Sequence, residues 1–307
     1  MSIICITPVK HLQGVFNEFK KFGEIIYEPN INKNDLRNLL LKSKSKYIFT
    51  NPNKQGFIID KDLLEGTSIE LINTCSTGTN HLDLEYCKKN KIKILSLTKD
   101  MELISDLPST SELAFGLMCS LFRKIYQGFE SVKKGQWNYE PFVGKQIKNS
   151  SIGIIGYGRL GKIMESFCKA FEMEIYIYDP YQGFNDLNIV LKNSDVISLH
   201  VHVTDETRNM VDKKFLSKMK KGSFLINTSR GELVDELALI SFLEKKHIQG
   251  YGADVIRDEF SDIKKSKLVE YSKKNSNVII TPHVGGMTFE GQKKAYIWAI
   301  NKFKEVI

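Results

Sequence analysis

Short, β-branched apolar runs alternate along this chain with stretches in which apolar positions return every three or four residues. SIICIT (residues 2–7) leads into HLQGVFNEFKKFG, then come EIIYEP, a polar amphipathic stretch, YIFTNP and SIELINTCSTG. Short apolar runs bounded by turn residues read as strands, and the helical stretches between them read as crossovers. This rhythm predicts a parallel sheet with helices on both faces. It runs to about Thr98 and restarts at SIGIIGYG (151–158), continuing through EIYIYDPY (174–181), DVISLHVHV (195–203), SFLINTSRG (223–231), QGYGADVI (249–256) and NVIITPH (277–283). The fold class is therefore α/β, with two doubly wound parallel sheets. Each run of the second half turns polar at its carboxyl end, where such sheets collect ligands.

Between the halves lies STSELAFGLMCSLFRKIYQGFESVKKGQW (109–137). Ser109 with Glu112 three residues on resembles a capping box, and the helix predicted after it is apolar on nearly all sides, so every face needs a cover. The cover is either the same subunit or a partner subunit.

Length and composition agree with two domains: 307 residues exceed one ordinary core, with 42% hydrophobic and 26% charged residues, as in globular proteins. The net charge of +8 arises from lysines scattered among acidic residues, not from a basic arm, so nucleic acid is not an expected partner. Five separated cysteines with no C-x-x-C pair fit a reducing compartment and no metal site. No run approaches the roughly 18 apolar residues of a membrane span, and the expected location is the cytoplasm.

Gly156-Tyr157-Gly158-Arg159-Leu160-Gly161 is a G-x-G-x-x-G between a strand and a helical pattern. Glycines there allow a tight turn and let helix amides approach a pyrophosphate. Asp179 ends the next strand. It is either a turn starter before Pro180 or the acceptor of a ribose 2′-hydroxyl. As a carboxylate followed by Pro180-Tyr181-Gln182, with no Arg to attract a 2′-phosphate, it favours NAD over NADP.

Arg230, Asp254, Glu259 and His283 stand at successive strand ends. Singly, each has an ordinary reading: surface cation, loop acid, capping His. Together they suit hydride transfer to a 2-oxo acid. Arg230 would hold the carboxylate in a bidentate fork, and His283 beside Glu259 would protonate the developing alkoxide.

GYGRLGK, the following strand-end Asp, NTSRGELVDE, ADVIRDE and TPHVGGMTFEGQ, in this order and spacing, resemble the D-isomer-specific 2-hydroxyacid dehydrogenase family over nearly the whole chain. The resemblance implies two Rossmann-like domains, a discontinuous substrate domain (1–100 and 287–307) and an inserted NAD-binding domain (101–286) carrying a dimerisation helix. It implies catalytic roles for Arg230, Glu259 and His283, and cofactor (NAD or NADH) contacts from Gly156, Gly158, Gly161, Thr77, Arg159, Leu160, Asp179, Thr228, Ser229 and Asp254. Substrate contacts would come from Thr77 and Gly78, through backbone amides, and from Arg230 and His283. It implies a homodimer and a small-molecule 2-hydroxy or 2-oxo acid.

There are departures. Glu259 is followed by Phe260 where the family has Pro, and Asp258 is the alternative partner for His283. His202 stands where Pro is common and is expected near the adenine or in solvent. The segment 97–112 is longer than usual. Thr74 and Asn51 stand near the places where phosphoglycerate enzymes carry arginines, which predicts a non-phosphorylated substrate. A dinucleotide-sensing protein such as a corepressor is the alternative from another class. The formate branch pairs its His with Gln, and Glu259 argues against it.

Overall fold

The computed structural model describes residues 2–52, 56–259 and 261–306, which form two compact units, 1–107 with 287–307 and 108–286. Phe260 lies outside the described residues.

In the first unit β1 (Ser2–Cys5), β2 (Glu24–Tyr27), β3 (Tyr47–Thr50), β4 (Leu71–Thr74) and β5 (Lys93–Leu95) make one parallel sheet in the order β2-β1-β3-β4-β5. The helices are α1 (Val15–Lys20), α2 (Lys33–Ser43), α3 (Lys61–Leu64), α4 (Leu84–Lys89), α5 (Met101–Ile104) and, from the far end of the chain, α13 (Phe289–Asn301). Thr288 starts α13 by accepting a hydrogen bond from the Gly291 amide, and Tyr296, Ala299 and Ile300 recur at helical spacing to bury one face among Ile3, Phe19 and Phe49. The sequence placed the domain change at residue 101. The first unit instead runs to Leu107, because Leu103 and Ile104 of α5 enter its core.

The second unit carries β6 (Ser151–Ile155), β7 (Glu174–Tyr178), β8 (Val196–Leu199), β9 (Ser223–Asn227), β10 (Ile248–Ala253) and β11 (Val278–Ile280), parallel in the order β11-β10-β9-β8-β6-β7. Strands β6, β8 and β9 are buried throughout, as uninterrupted apolar runs require of a sheet covered on both faces. Its helices are α6 (Ser109–Phe122), α7 (Ile125–Lys133), α8 (Arg159–Ala170), α9 (Leu187–Asn193), α10 (Lys213–Lys218), α11 (Glu236–Glu244) and α12 (Lys267–Lys274).

The single helix expected after Ser109 is two. Lys124 takes a left-handed backbone (φ 51°) and separates α6, which buries Ala114, Leu117, Met118 and Leu121 in its own unit, from α7, which buries nothing. Nor does Ser109 cap the helix: Pro108 is the N-cap and its carbonyl accepts from Ser111 and Glu112, while Ser109 lies inside the first turn.

Candidate functional site

A doubly wound sheet opens a crevice where its strand order reverses, and in the second unit that point falls between β6 and β8. The glycine loop follows β6. Gly156 has φ 91°, and a Cβ on it would meet the His200 carbonyl at 2.5 Å. One on Gly161 would meet the Gly156 carbonyl at 2.2 Å. Gly158, at the mouth of α8, faces open space and caps that helix without a side chain. The loop is thus tight where it touches protein and bare where a pyrophosphate would approach helix amides. Asp179 caps the turn that follows it: one carboxylate oxygen accepts from the Tyr157 amide of the glycine loop (2.8 Å), the other from the Tyr181 amide (3.1 Å). Burial lowers the pKa of Arg159, and Leu160 accepts from the Ser111 hydroxyl through its carbonyl. Two buried atoms here have no hydrogen-bonding partner among the described residues, His200 Nδ1 and Thr228 Oγ1. Groove, bare helix end and strand-end acid fit a dinucleotide.

Arg230 follows β9. Its backbone is fixed by Asn227, whose side chain donates to the Arg230 carbonyl (2.9 Å) and accepts from the Ser229 amide (3.0 Å), while the Ser229 hydroxyl donates to the Leu199 carbonyl (2.8 Å). The guanidinium donates to the neighbouring Ser229 carbonyl and, among the described residues, makes no ion pair.

His283 and Glu259 meet. Nδ1 of the His lies 3.0 and 3.1 Å from the two Glu259 oxygens, with the imidazole side chain 37% exposed and the carboxylate 17%. Asp258, the alternative partner, is exposed. His283 has φ 54°, a left-handed backbone that a branched-free but bulky side chain adopts at a cost. The loop is held there by Asp254 at the end of β10. Its carboxylate accepts from the Thr281 hydroxyl (2.5 Å) and from the Val284 and Gly285 amides (2.8 and 2.7 Å), and its carbonyl accepts from the His283 amide (2.9 Å). Burial raises the Asp254 pKa, and those three hydrogen bonds oppose the rise. Asp254 entered as a cofactor contact. Its carboxylate is 2% exposed and largely engaged in shaping the His283 loop.

In the first unit the loop after β4 is self-bonded: Gly78 donates its amide to Ser76 Oγ (3.0 Å), and the Thr77 carbonyl accepts from Thr98 Oγ1 (2.8 Å). An anion at Gly78 would have to displace that hydroxyl. Thr74 and Asn51 are buried, Thr74 against His81 Nε2 (3.0 Å) and Asn51 donating to the Tyr296 hydroxyl (3.2 Å). His202 is exposed. Three positions in these arrangements escaped the sequence reading: His200, Tyr296 and Thr281. Only Thr281 had a visible signal, its place before the Pro-His of the last strand end.

Residues 115–285 match the family model described as "D-isomer specific 2-hydroxyacid dehydrogenase, NAD binding domain". The chain belongs to the D-isomer-specific 2-hydroxyacid dehydrogenase family. As a member it is an NAD-dependent dehydrogenase. It is 33% identical to hydroxypyruvate reductase of Thermotoga maritima over 81% of each chain. It is 30% identical, along its whole length, to D-3-phosphoglycerate dehydrogenase of Methanocaldococcus jannaschii, of which it spans 58%. Among solved structures, D-lactate dehydrogenase of Aquifex aeolicus complexed with NAD and lactic acid superposes with a TM-score of 0.79 at 26% identity, covering 100% of this chain and 95% of that one.

Proposed function

We propose that the protein interconverts a small, non-phosphorylated D-2-hydroxy acid and its 2-oxo acid, with residues 108–286 holding NAD and the other unit serving as the substrate domain. The observation that carries this reading is the His283–Glu259 pair beside the strand end of Arg230. With Nδ1 donating to Glu259, Nε2 is left to deliver a proton. Bound in the 108–286 unit, NADH would supply the hydride, while Arg230 binds the carboxylate of the oxo acid and draws electron density from its carbonyl. His283 then protonates the oxygen as it becomes an alkoxide, and takes the proton back in oxidation. On the substrate domain itself, the backbone amides at Thr77 and Gly78 are the candidate contacts to a carboxylate. The absence of a cation at Thr74 and Asn51 supports an unphosphorylated substrate.

A homodimer is part of the proposal. Helix α7 and the segment after it expose Ile125, Tyr126, Phe129, Val132, Trp137 (92% exposed) and Tyr139, an apolar band that family likeness assigns to a second subunit. A monomer at micromolar concentration in analytical ultracentrifugation would remove it. Five free cysteines suit the reducing cytoplasm, and among the described residues no helix is long and apolar enough to cross a membrane.

The activity is tested by NADH oxidation against glyoxylate, hydroxypyruvate, pyruvate, 2-oxoglutarate, oxaloacetate and bulkier acids, with 3-phosphoglycerate and NAD in the opposite direction. Turnover of one unphosphorylated acid, lost in Arg230→Ala while NADH fluorescence still reports binding, is expected. Efficient oxidation of 3-phosphoglycerate would overturn the substrate class. Silence across the panel with NADH bound would favour a substrate outside the panel first and the dinucleotide-sensing alternative second.

A further inference from the structure

We infer that Arg257 is a positioning residue for the proton-transfer step, the tie that sets Glu259 against His283. This rests on the acid–base reading of that pair.

The three strand-end loops that carry the chemistry are not held alike. Arg230 is fixed by Asn227 and Ser229, and the segment after it by the bridge between Val211 and Val234. His283 is fixed by Asp254. Glu259 sits in a loop whose backbone gives it little support. Asp258 takes a left-handed φ of 55°, and the Ser261 amide bonding back to the Asp258 carbonyl is a local turn.

Among the described residues, the long-range hydrogen bonds of 256–259 other than the Glu259–His283 pair all come from Arg257. Its amide donates to Glu236 Oε1 (2.8 Å). Its guanidinium Nη2 donates to the Val234 carbonyl (2.9 Å), the Glu232 carbonyl (3.3 Å) and the Asn209 side chain. One side chain therefore joins the loops after β8, β9 and β10. Gly231 makes the approach possible: a Cβ on it would lie 2.0 Å from the Ile256 carbonyl carbon and 2.3 Å from the Arg257 nitrogen. The guanidinium suits this task because its planar fork can satisfy several carbonyls from one position, which a Lys ammonium on a flexible stem does less well. Because Arg230 and His283 have their own anchors, losing the tie falls on Glu259, two residues away. A displacement of about 1 Å there is enough to cost one to two orders of magnitude in rate.

The test compares Arg257→Ala, Arg257→Lys, Glu259→Gln and the two double variants, using NADH and whichever 2-oxo acid of the panel is turned over. Arg257→Ala is expected to lower kcat about 10-fold with KM for the oxo acid and for NADH within about twofold of the parent. The alkaline limb of its pH profile should move in the same direction as in Glu259→Gln, and Arg257→Lys should recover part of the loss. In the Glu259→Gln background neither Arg257 change should cost more, because the residue acts through Glu259. Parental kcat in Arg257→Ala, or losses that multiply in the double variants, would overturn the inference. If Arg257→Ala does not fold, Arg257→Lys alone and with Glu259→Gln decides it by the same rule. Parental kcat in Glu259→Gln would instead sink the acid–base reading itself.

Discussion

The two sheets reverse strand order by the same rule and treat the resulting crevice in opposite ways. In the second unit the reversal between β6 and β8 is lined by a glycine loop whose middle glycine faces open space. In the first, the reversal between β1 and β3 is filled from within. The Tyr296 hydroxyl of α13 accepts from Asn51 Nδ2 (3.2 Å) just past β3 and lies 3.5 Å from Thr7 Oγ1 just past β1, with Gln292 donating to it as well. Its ring meets Phe49 edge-on, and the side chain is 2% exposed. Topology therefore supplies a place for a ligand, and one side chain decides whether the place is a site. Fold likeness alone could not have told these crevices apart.

That contrast can be broken from either side. Emptying the filled crevice with Tyr296→Ala should cost about 3–5 kcal/mol, as deleting a buried aromatic ring does, measured by denaturant unfolding. A loss below 1 kcal/mol would mean the ring is not a structural plug. Filling the open crevice with Gly158→Val should weaken NADH binding on the order of 100-fold, about 2.7 kcal/mol, while the unfolding midpoint barely moves. Unchanged NADH titration would move the pyrophosphate elsewhere.

Acid sharpens the comparison, because each unit holds one histidine whose pKa burial lowers to about 4, His81 in the first and His200 in the second. Between pH 6.5 and 4 the unfolded chain binds a proton at each position that the folded chain refuses, so stability falls as pH falls through that window. From pH 7 to 5 the loss should reach up to about 2 kcal/mol per histidine. His81→Gln and His200→Gln should each remove one share, read from urea midpoints at the two pH values. Smallest of all, Tyr296→Phe keeps the ring and loses only the hydroxyl's hydrogen bonds, for about 1 kcal/mol; a thermal midpoint equal to the parent's would leave Asn51 and Thr7 without a stake in the plug.

The sequence carried what is local. Strands announced themselves as apolar runs, the glycine loop by its spacing, and Arg230, Glu259 and His283 by their order at successive strand ends. Tyr296 looked like any aromatic on an amphipathic helix, since its partner Asn51 lies 245 positions away. Nothing in the sequence marks Arg257, because two of the three acceptors of its guanidinium are backbone carbonyls, which every residue has. The break at Lys124 was hidden too: a left-handed lysine leaves no mark on a hydrophobic pattern, and α6 and α7 are both apolar for different reasons, one covered and one bare. Periodicity reports which face of an element is apolar. It does not report what comes to cover it.

Helix α13 has one more consequence, in the order of events during synthesis. Phe303, just past that helix, packs with tilted rings against Phe19 and Phe49, so the first core has aromatic residues from both sides of an insertion that spans 108–286. A chain emerging from its amino end can complete the inserted unit first. The unit begun earlier must wait, with Phe19 and Phe49 uncovered, for on the order of ten seconds or more at ordinary rates of elongation. Helix α13, made after the inserted unit, is the clasp that closes the unit whose strands were made before it.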